Sequence, residues 1–575
     1  MTGRTRAALL VGVVGALGLG LMTTLTTLAA PTAAAARTWY VVAGATGGDG
    51  SQATPFGSLR DVESSSSPGD VIVVLPAGEP LDGGIQLQAG QVLRGVGEVG
   101  PGLARQSWLT NRTTRLEGDA VRLADGARVE GLRITDTRRG AVFGSEVSGV
   151  SVLGNDISGQ NADCVDGFLI PPFNAPTNLP GVGLPIAGGL QNGWAAIQVD
   201  AAARADVTAT VSGNRIHDAE CGDGIDVRLS GTATGSVTIT GNDVRRLRQG
   251  PAFSSLLAIG LQARDSARLR GTISDNTQAD LGNADDPNLV EGADSEGVFL
   301  NASGPATLDA LVTGNAYTNA HGWGGFSANG LEMVAMGRGS RMNAVIRDSS
   351  FSGSPGDVIE HGALGTDAVM TMRLERVVAE RSTGVGNTLV LPFNNGDCVL
   401  AGSLGARNTV RLTVRDSVLR DCANNGISLG SNVVNGSGPT TEVALDVDGS
   451  TVTGNRGGNI GIRNFTGLDV LRVKVQRTDL QVSGSLGSGI ADFSAEDVGT
   501  TTAHTIDIGG GGLGSIGQNC LRGGLLAASV VRYSVSARSN WWGQPGGPGL
   551  LRTLTLFGSL DSSRALAAPP SACAP

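Results

Sequence analysis

The sequence predicts an all-β solenoid, a chain wound into stacked coils whose strands pair in parallel from one coil to the next. Three observations carry this. First, a polar rung recurs through the middle of the chain: Asn155 in L-G-N-D-I, Asn214 in S-G-N-R-I, Asn242 in T-G-N-D-V, Asn276 in S-D-N-T and Asn315 in T-G-N-A-Y. It continues as Ser349, Val377, Ser417, Ser450 and Thr478, and Thr137 fits upstream. Second, a short strand follows most rungs, as in Ala196-Ile-Gln-Val, Gly224-Ile-Asp-Val, Ala258-Ile-Gly-Leu, Gly297-Val-Phe-Leu, Gly330-Leu-Glu-Met and Gly426-Ile-Ser-Leu. Third, no segment beyond the N-terminal apolar run places apolar residues at helical spacing over three turns.

Each rung ends a stretch that alternates apolar and other residues, such as 207–211 or 410–414, so it reads as a strand running into a corner. From Thr137 onward the rungs lie between 18 and 59 residues apart. That is too irregular for a helical repeat array and natural for a coil whose turns accept insertions. A rung amide points inward at a bend, where it must find partners; asparagines on consecutive coils can bond one another and the corner backbone. The ladder is therefore structural. With 89 glycines and only 16% charged residues, the composition suits stacked strands and tight turns.

The N-terminus carries Arg4 and Arg6, an apolar run from Ala7 to about Met22, and Ala34-Ala35-Ala36, the pattern of a signal peptide cleaved before Arg37. The expectation is a secreted, extracellular protein, monomeric and without membrane contact after cleavage. A formal charge of −10 and the lack of a basic cluster mixed with aromatics argue against nucleic acid as a partner. The domain reading is 1–36 signal peptide, 37–100 N-terminal cap and first coils, 101–545 solenoid, and 546–575 a C-terminal tail stapled by a disulfide.

All six cysteines lie in the mature part, as in an oxidising compartment. Cys164 and Cys221 each follow a rung asparagine and so share a corner of neighbouring coils, which at a spacing of about 4.8 Å is within disulfide range. Cys398 and Cys422 are about one coil apart, leaving Cys520 to hold the tail through Cys573.

The rungs and strands, with Tyr40-Val-Val-Ala-Gly-Ala-Thr, Thr54-Pro-Phe-Gly-Ser-Leu and Pro68-Gly-Asp-Val-Ile-Val-Val-Leu-Pro-Ala-Gly near the start and Asn540-Trp-Trp-Gly-Gln-Pro-Gly-Gly-Pro near the end, resemble the parallel β-helix repeat superfamily. This is the pectate-lyase-like fold, shared by polysaccharide lyases, glycosidases and secreted bacterial repeat proteins. The resemblance implies a right-handed parallel β-helix of about eleven or twelve coils with an N-terminal cap, in which an extended strand and a capping helix open the solenoid. It does not imply one activity.

The segments joining a rung to its following strand are long after Asn155, Asn242, Asn276 and Asn315, and short after Asn214. Long turns grouped on one edge mark a functional face. The floor between them contains His217, Asp218, Glu220, Asp223, Asp226 and Arg228. If Ile225, Val227 and Leu229 face inward, Asp226 and Arg228 face outward, and Gln198, Asp200, Gln262, Asn301 and Glu332 line up with them. Such a row suits an extended polar polymer, and Trp194 and Trp323 on the same edge could stack on sugar faces.

Hydrolysis needs two carboxylates, which Asp200, Asp223 and Asp226 can supply. Elimination from a uronic acid needs a base, Arg228 or Arg215, and often calcium, for which Asp218 and Glu220 are the candidate ligands. His217 is a further catalytic candidate. Two readings stay open: a protein that binds and cleaves an extracellular polysaccharide, as a lyase or glycoside hydrolase, and a non-catalytic adhesin, glycan-binding or structural protein.

Overall fold

The computed structural model describes residues 35–164, 167–169, 177–178, 185–186, 191–250, 255–282, 294–319, 328–384, 396–403, 405–431, 441–463, 469–480, 491–496, 504–522, 526–549 and 551–573. Residues Arg37–Pro575 form one compact unit. It is an all-β parallel β-helix. One coil shows the plan: a first strand Val207–Ser212, the corner at Asn214, a second strand Arg215–Ala219, another corner, a third strand Ile225–Leu229, and a turn into Thr234–Thr240. That next strand lies parallel to Val207–Ser212, with Val207 opposite Gly235 and Val211 opposite Ile239.

Repeating the plan gives three sheets of 17, 11 and 17 strands, parallel except where Gly167–Leu169 pairs antiparallel with Gln191–Gly193 at the third sheet. The second sheet, which begins at the rung, matches the expected number of coils. The first is longer by six strands because Thr38–Val41 and Val71–Val74 join one end and Val470–Gln476, His504–Gly509, Ser534–Ala537 and Ser559–Asp561 the other. The C-terminal segment is thus a further coil as well as a stapled tail: Thr553–Leu556 pairs with Leu526–Val531 in the third sheet. Alternation along each strand sends Ile225, Val227 and Leu229, like Val207, Ala209 and Val211, into one continuous apolar core. Helix Leu59–Ser65, capped where Ser58 Oγ accepts the Asp61 N–H, buries Leu59 and Val62 in the same core.

The rung works as a chain of amides. Asn242 Oδ1 accepts from both the backbone N–H and the Nδ2 of Asn214, each at 3.0 Å, while Asn242 Nδ2 donates to Val211 O and to Asn276 Oδ1. The same bonds recur from Asn155 to Asn276 and resume at Asn519 and Asn540. Serines at 349, 417 and 450 accept the preceding N–H with Oγ instead where the partner is in register. Thr137 is not a rung. The coil before Asn155 places Leu132 there, whose N–H donates to Asn155 Oδ1, and Thr137 lies beyond it with its hydroxyl on the Arg139 carbonyl.

The three disulfides are Cys164–Cys221, Cys398–Cys422 and Cys520–Cys573, with Cα separations of 5.4, 5.6 and 5.5 Å. Trp542 is buried in the core of the last coils, and Trp541 continues the rung sheet beside Cys520. No helix among the described residues is long and apolar enough to cross a membrane.

Candidate functional site

The third sheet carries most of the candidate residues on its outer side. Strands Ile197–Ala201, Ile225–Leu229, Ser255–Arg264, Asp294–Ser303 and Leu331–Arg338 stack there in register. Their outward residues form two rows. One runs Gln198, Asp226, Gly260, Phe299, Glu332; the other runs Asp200, Arg228, Gln262, Asn301. The parity expected from the sequence holds. These side chains nevertheless do not stand free in solvent: Gln198, Asp226, Gln262 and Asn301 are all at most 1% exposed. They face away from the apolar core and are covered from outside.

Asp226 sits at the centre. Both of its oxygens accept from Gln262 Nε2 at 3.1 Å, and Arg228 Nε lies 3.7 Å from Oδ2. Gly260 makes room for it, since a Cβ at that position would lie 2.6 Å from Asp226 Oδ1. Burial, set against the pull of Arg228, pushes the Asp226 carboxyl up to about 7. Arg228 makes a two-pronged ion pair with Asp200, Nε to Oδ1 at 3.0 Å and Nη2 to Oδ2 at 2.6 Å. Gln198 Nε2 braces Asp200 from the other side at 3.0 Å. Burial works against the Arg228 charge, but Asp200 more than compensates and holds its pKa above the usual guanidinium value.

Trp194 closes one side. It meets Phe143 edge-on at 5.3 Å, with the Arg139 guanidinium 4.1 Å and that of Arg228 5.7 Å from its ring. Arg139 is in turn fixed by Asp119 through two bonds of 2.9 and 2.6 Å. Sequence reasoning missed Arg139 and Asp119, because they belong to the preceding coils and nothing in their local pattern marks them.

Asp223 has a different task. It lies at the corner before the third sheet, where its Oδ1 accepts the Leu257 N–H at 2.8 Å and its Oδ2 the Asn192 amide at 3.0 Å. Asn329, Asp357 and Asp397 do the same on later coils, accepting the backbone N–H of Asp357, Asp397 and Asn425. Burial, and then the nearby Asp226, raise the Asp223 carboxyl well above the usual range. It is a corner residue of a second ladder.

His217, Asp218 and Glu220 are not brought to this face. His217 and Asp218 belong to the second sheet, a different wall of the coil, with Ser158 and Arg245 as the register neighbours of His217. His217 Nδ1 bonds Asp218 Oδ2 at 2.5 Å and Nε2 bonds Asp156 Oδ1 at 3.0 Å. Arg246 grips Asp218 through two nitrogens and, with His217, holds that carboxyl far below its ordinary value. Three of the acceptor sites of Asp218 are thus taken by Arg246 and His217, and Glu220 is exposed. Among the described residues no group of three or more His, Cys, Asp or Glu could hold a metal. Arg215, half exposed, lies 3.8 Å from Asp156 on this second wall. Trp323 lies outside the described residues.

No protein-family model matches the chain, and no curated protein does. Solved structures do. The periplasmic alginate epimerase AlgG matches at 10% identity and a TM-score of 0.29, over 88% of this chain and 82% of that one. The DFA-IIIase of Arthrobacter chlorophenolicus A6 without its lid, in complex with GF2, matches at 12% identity and a TM-score of 0.31, over 75% of this chain and 90% of that one.

Proposed function

We propose that this chain binds an extracellular polysaccharide along the outer face of the third sheet and hydrolyses it there. Asp226 is the proton donor and Asp200, held by Arg228, the second carboxylate. The observation that carries this reading is Asp226 itself: a carboxyl turned away from the apolar core, beside an Arg–Asp pair, that keeps its proton to about pH 7. Two carboxyl groups in contrasting surroundings are what glycoside hydrolysis requires. Arg228 does not serve as the base of an elimination, because Asp200 and Asp226 both stabilise its charged form. Gln198, Gln262, Asn301 and Glu332 are the polar contacts along the chain of sugars, and Trp194 shapes one end. Three disulfides fit an oxidising compartment, and residues 1–36 supply the secretion signal of this reading.

A binding-only protein is favoured by one observation, the full burial of Asp226. One assay separates the two. The purified protein is incubated with neutral and uronic-acid polysaccharides while new reducing ends and unsaturated ends are followed. Reducing ends that vanish in Asp226→Asn support hydrolysis. Unsaturated ends would assign a lyase, and retained binding without either product would assign a glycan-binding protein.

A further inference from the structure

The last coil differs from the rest of the surface. Seven large apolar side chains are exposed among the described residues, and Leu551, Leu554, Leu556 and Phe557 all fall on this coil. Leu551 is 91% and Phe557 89% exposed. Leu554 and Leu556 point outward from Thr553–Leu556, and among the described residues nothing pairs with the far edge of that strand. Such a patch on an unpaired edge is normally covered or broken by charge.

The surrounding charge identifies what covers it. The whole chain has a formal charge of −10, yet residues 509–575 hold five arginines, Arg522, Arg532, Arg538, Arg552 and Arg564, against Asp561 alone. Arg532 occupies the corner one coil below Phe557, its N–H bonded to Leu556 O, and Arg532 and Arg564 are both exposed. A second copy of this end would bring like charges together, whereas an anionic bilayer answers both the apolar side chains and the arginines. The opposite end offers no equivalent, since helix Leu59–Ser65 buries its apolar residues in the core.

We propose that the C-terminal coil docks this protein on an anionic lipid surface, with Phe557 and Leu551 entering the headgroup region and Arg532 and Arg564 facing lipid phosphates. This proposal departs from the expectation of no membrane contact, and it stands independently of the glycan site. The test is co-flotation of the purified full chain with vesicles of phosphatidylcholine alone and of an equimolar mixture with phosphatidylglycerol. Binding to the mixed vesicles, weakened by salt, is expected, with a loss of about tenfold in affinity for each of Phe557→Asp and Leu551→Asp. Both positions are exposed enough for the variants to fold, which retained disulfides and an unchanged circular dichroism spectrum would verify. Equal flotation of wild type and the double variant, or none with either lipid, overturns the proposal. So does a concentration-dependent dimer in free solution that Leu551→Asp abolishes, which would assign the patch to a second copy.

Discussion

The corner asparagines and, apart from the half-buried Asp200, the polar rows outside the third sheet are both buried, but they differ in how they are satisfied. Each asparagine makes the bonds its neighbours make, to the coil before and the coil after. Along the outer rows no arrangement recurs: Gln198 braces Asp200, Arg228 pairs with Asp200, Gln262 holds Asp226, and Gly260 leaves a space. Repetition marks what the fold needs for closure. A departure from repetition, on the same coils, marks what it does not need. Asp223 and Asp226 show both within three residues, the first a member of a corner ladder shared with Asn329, Asp357 and Asp397, the second unique to its coil.

The sharpest way to break this comparison is at the ladder. Asn242→Ala strips partners from Asn214, Val211 and Asn276 at once. With each stranded buried group costing about 1–3 kcal/mol, chemical denaturation is expected to show a loss of about 3–5 kcal/mol. A loss below 1 kcal/mol would mean that the ladder is not structural.

Next in size is a pair of opposite pH dependences. The Asp226 carboxyl is raised from the ordinary range to about 7, so the folded state holds a proton that the unfolded chain has released. Its contribution is complete below about pH 4 and is lost as pH rises through 7, on the order of 4 kcal/mol. His361 runs the other way. It points into the core between Met333 and Ala401, neither ring nitrogen has a hydrogen-bond partner among the described residues, and burial lowers it to about 3. Here stability is lost as pH falls from about 6.5 towards 3. Over about pH 4–6.5 the two slopes oppose one another, so urea titrations across pH 4–8 are expected to show stability rising with pH in Asp226→Asn, where the His361 slope remains, and falling with pH in His361→Leu, where the Asp226 slope remains. Unchanged slopes would place both groups in water.

How much of this was legible in the sequence follows from what repeats. The alternating strands and asparagine corners recur from coil to coil, so the solenoid and the Cys164–Cys221 and Cys398–Cys422 bridges could be read from position in the coil, with Cys520–Cys573 left as the remaining pair. Strand parity also placed Asp226, Arg228, Gln198, Asp200, Gln262, Asn301 and Glu332 on one outer face. Three things were not legible. Thr137 matches the rung chemically, but register belongs to Leu132, an apolar residue no polar pattern would select. His217 and Asp218 lie close to Asp226 in sequence yet around a corner, because a bend separates neighbours that linear spacing joins. The burial of the outer rows, and the service of Arg139 and Asp119 behind Trp194, depend on coils far away in the chain.

A smaller effect tests the space at Gly260. A methyl there would lie 2.6 Å from Asp226 Oδ1 and must displace that carboxyl from Gln262. Gly260→Ala is expected to cost about 1–3 kcal/mol in stability, the usual range for overpacking, and to weaken glycan processing more than Asn or Ser ladder variants of equal stability. A variant with unchanged processing would show that the position of Asp226 is immaterial.

The most direct measurement compares the two aspartates by one conservative change each, following reducing ends released from the polysaccharide panel. In Asp223→Asn the Oδ1 can still accept the Leu257 N–H, and the Asn192 amide, whose Oδ1 has no partner among the described residues, can turn to accept the new NH₂. That variant should keep its activity. Asp226→Asn should fold, bind glycan and release nothing. Activity retained in Asp226→Asn but lost in a folded Asp223→Asn would contradict the account.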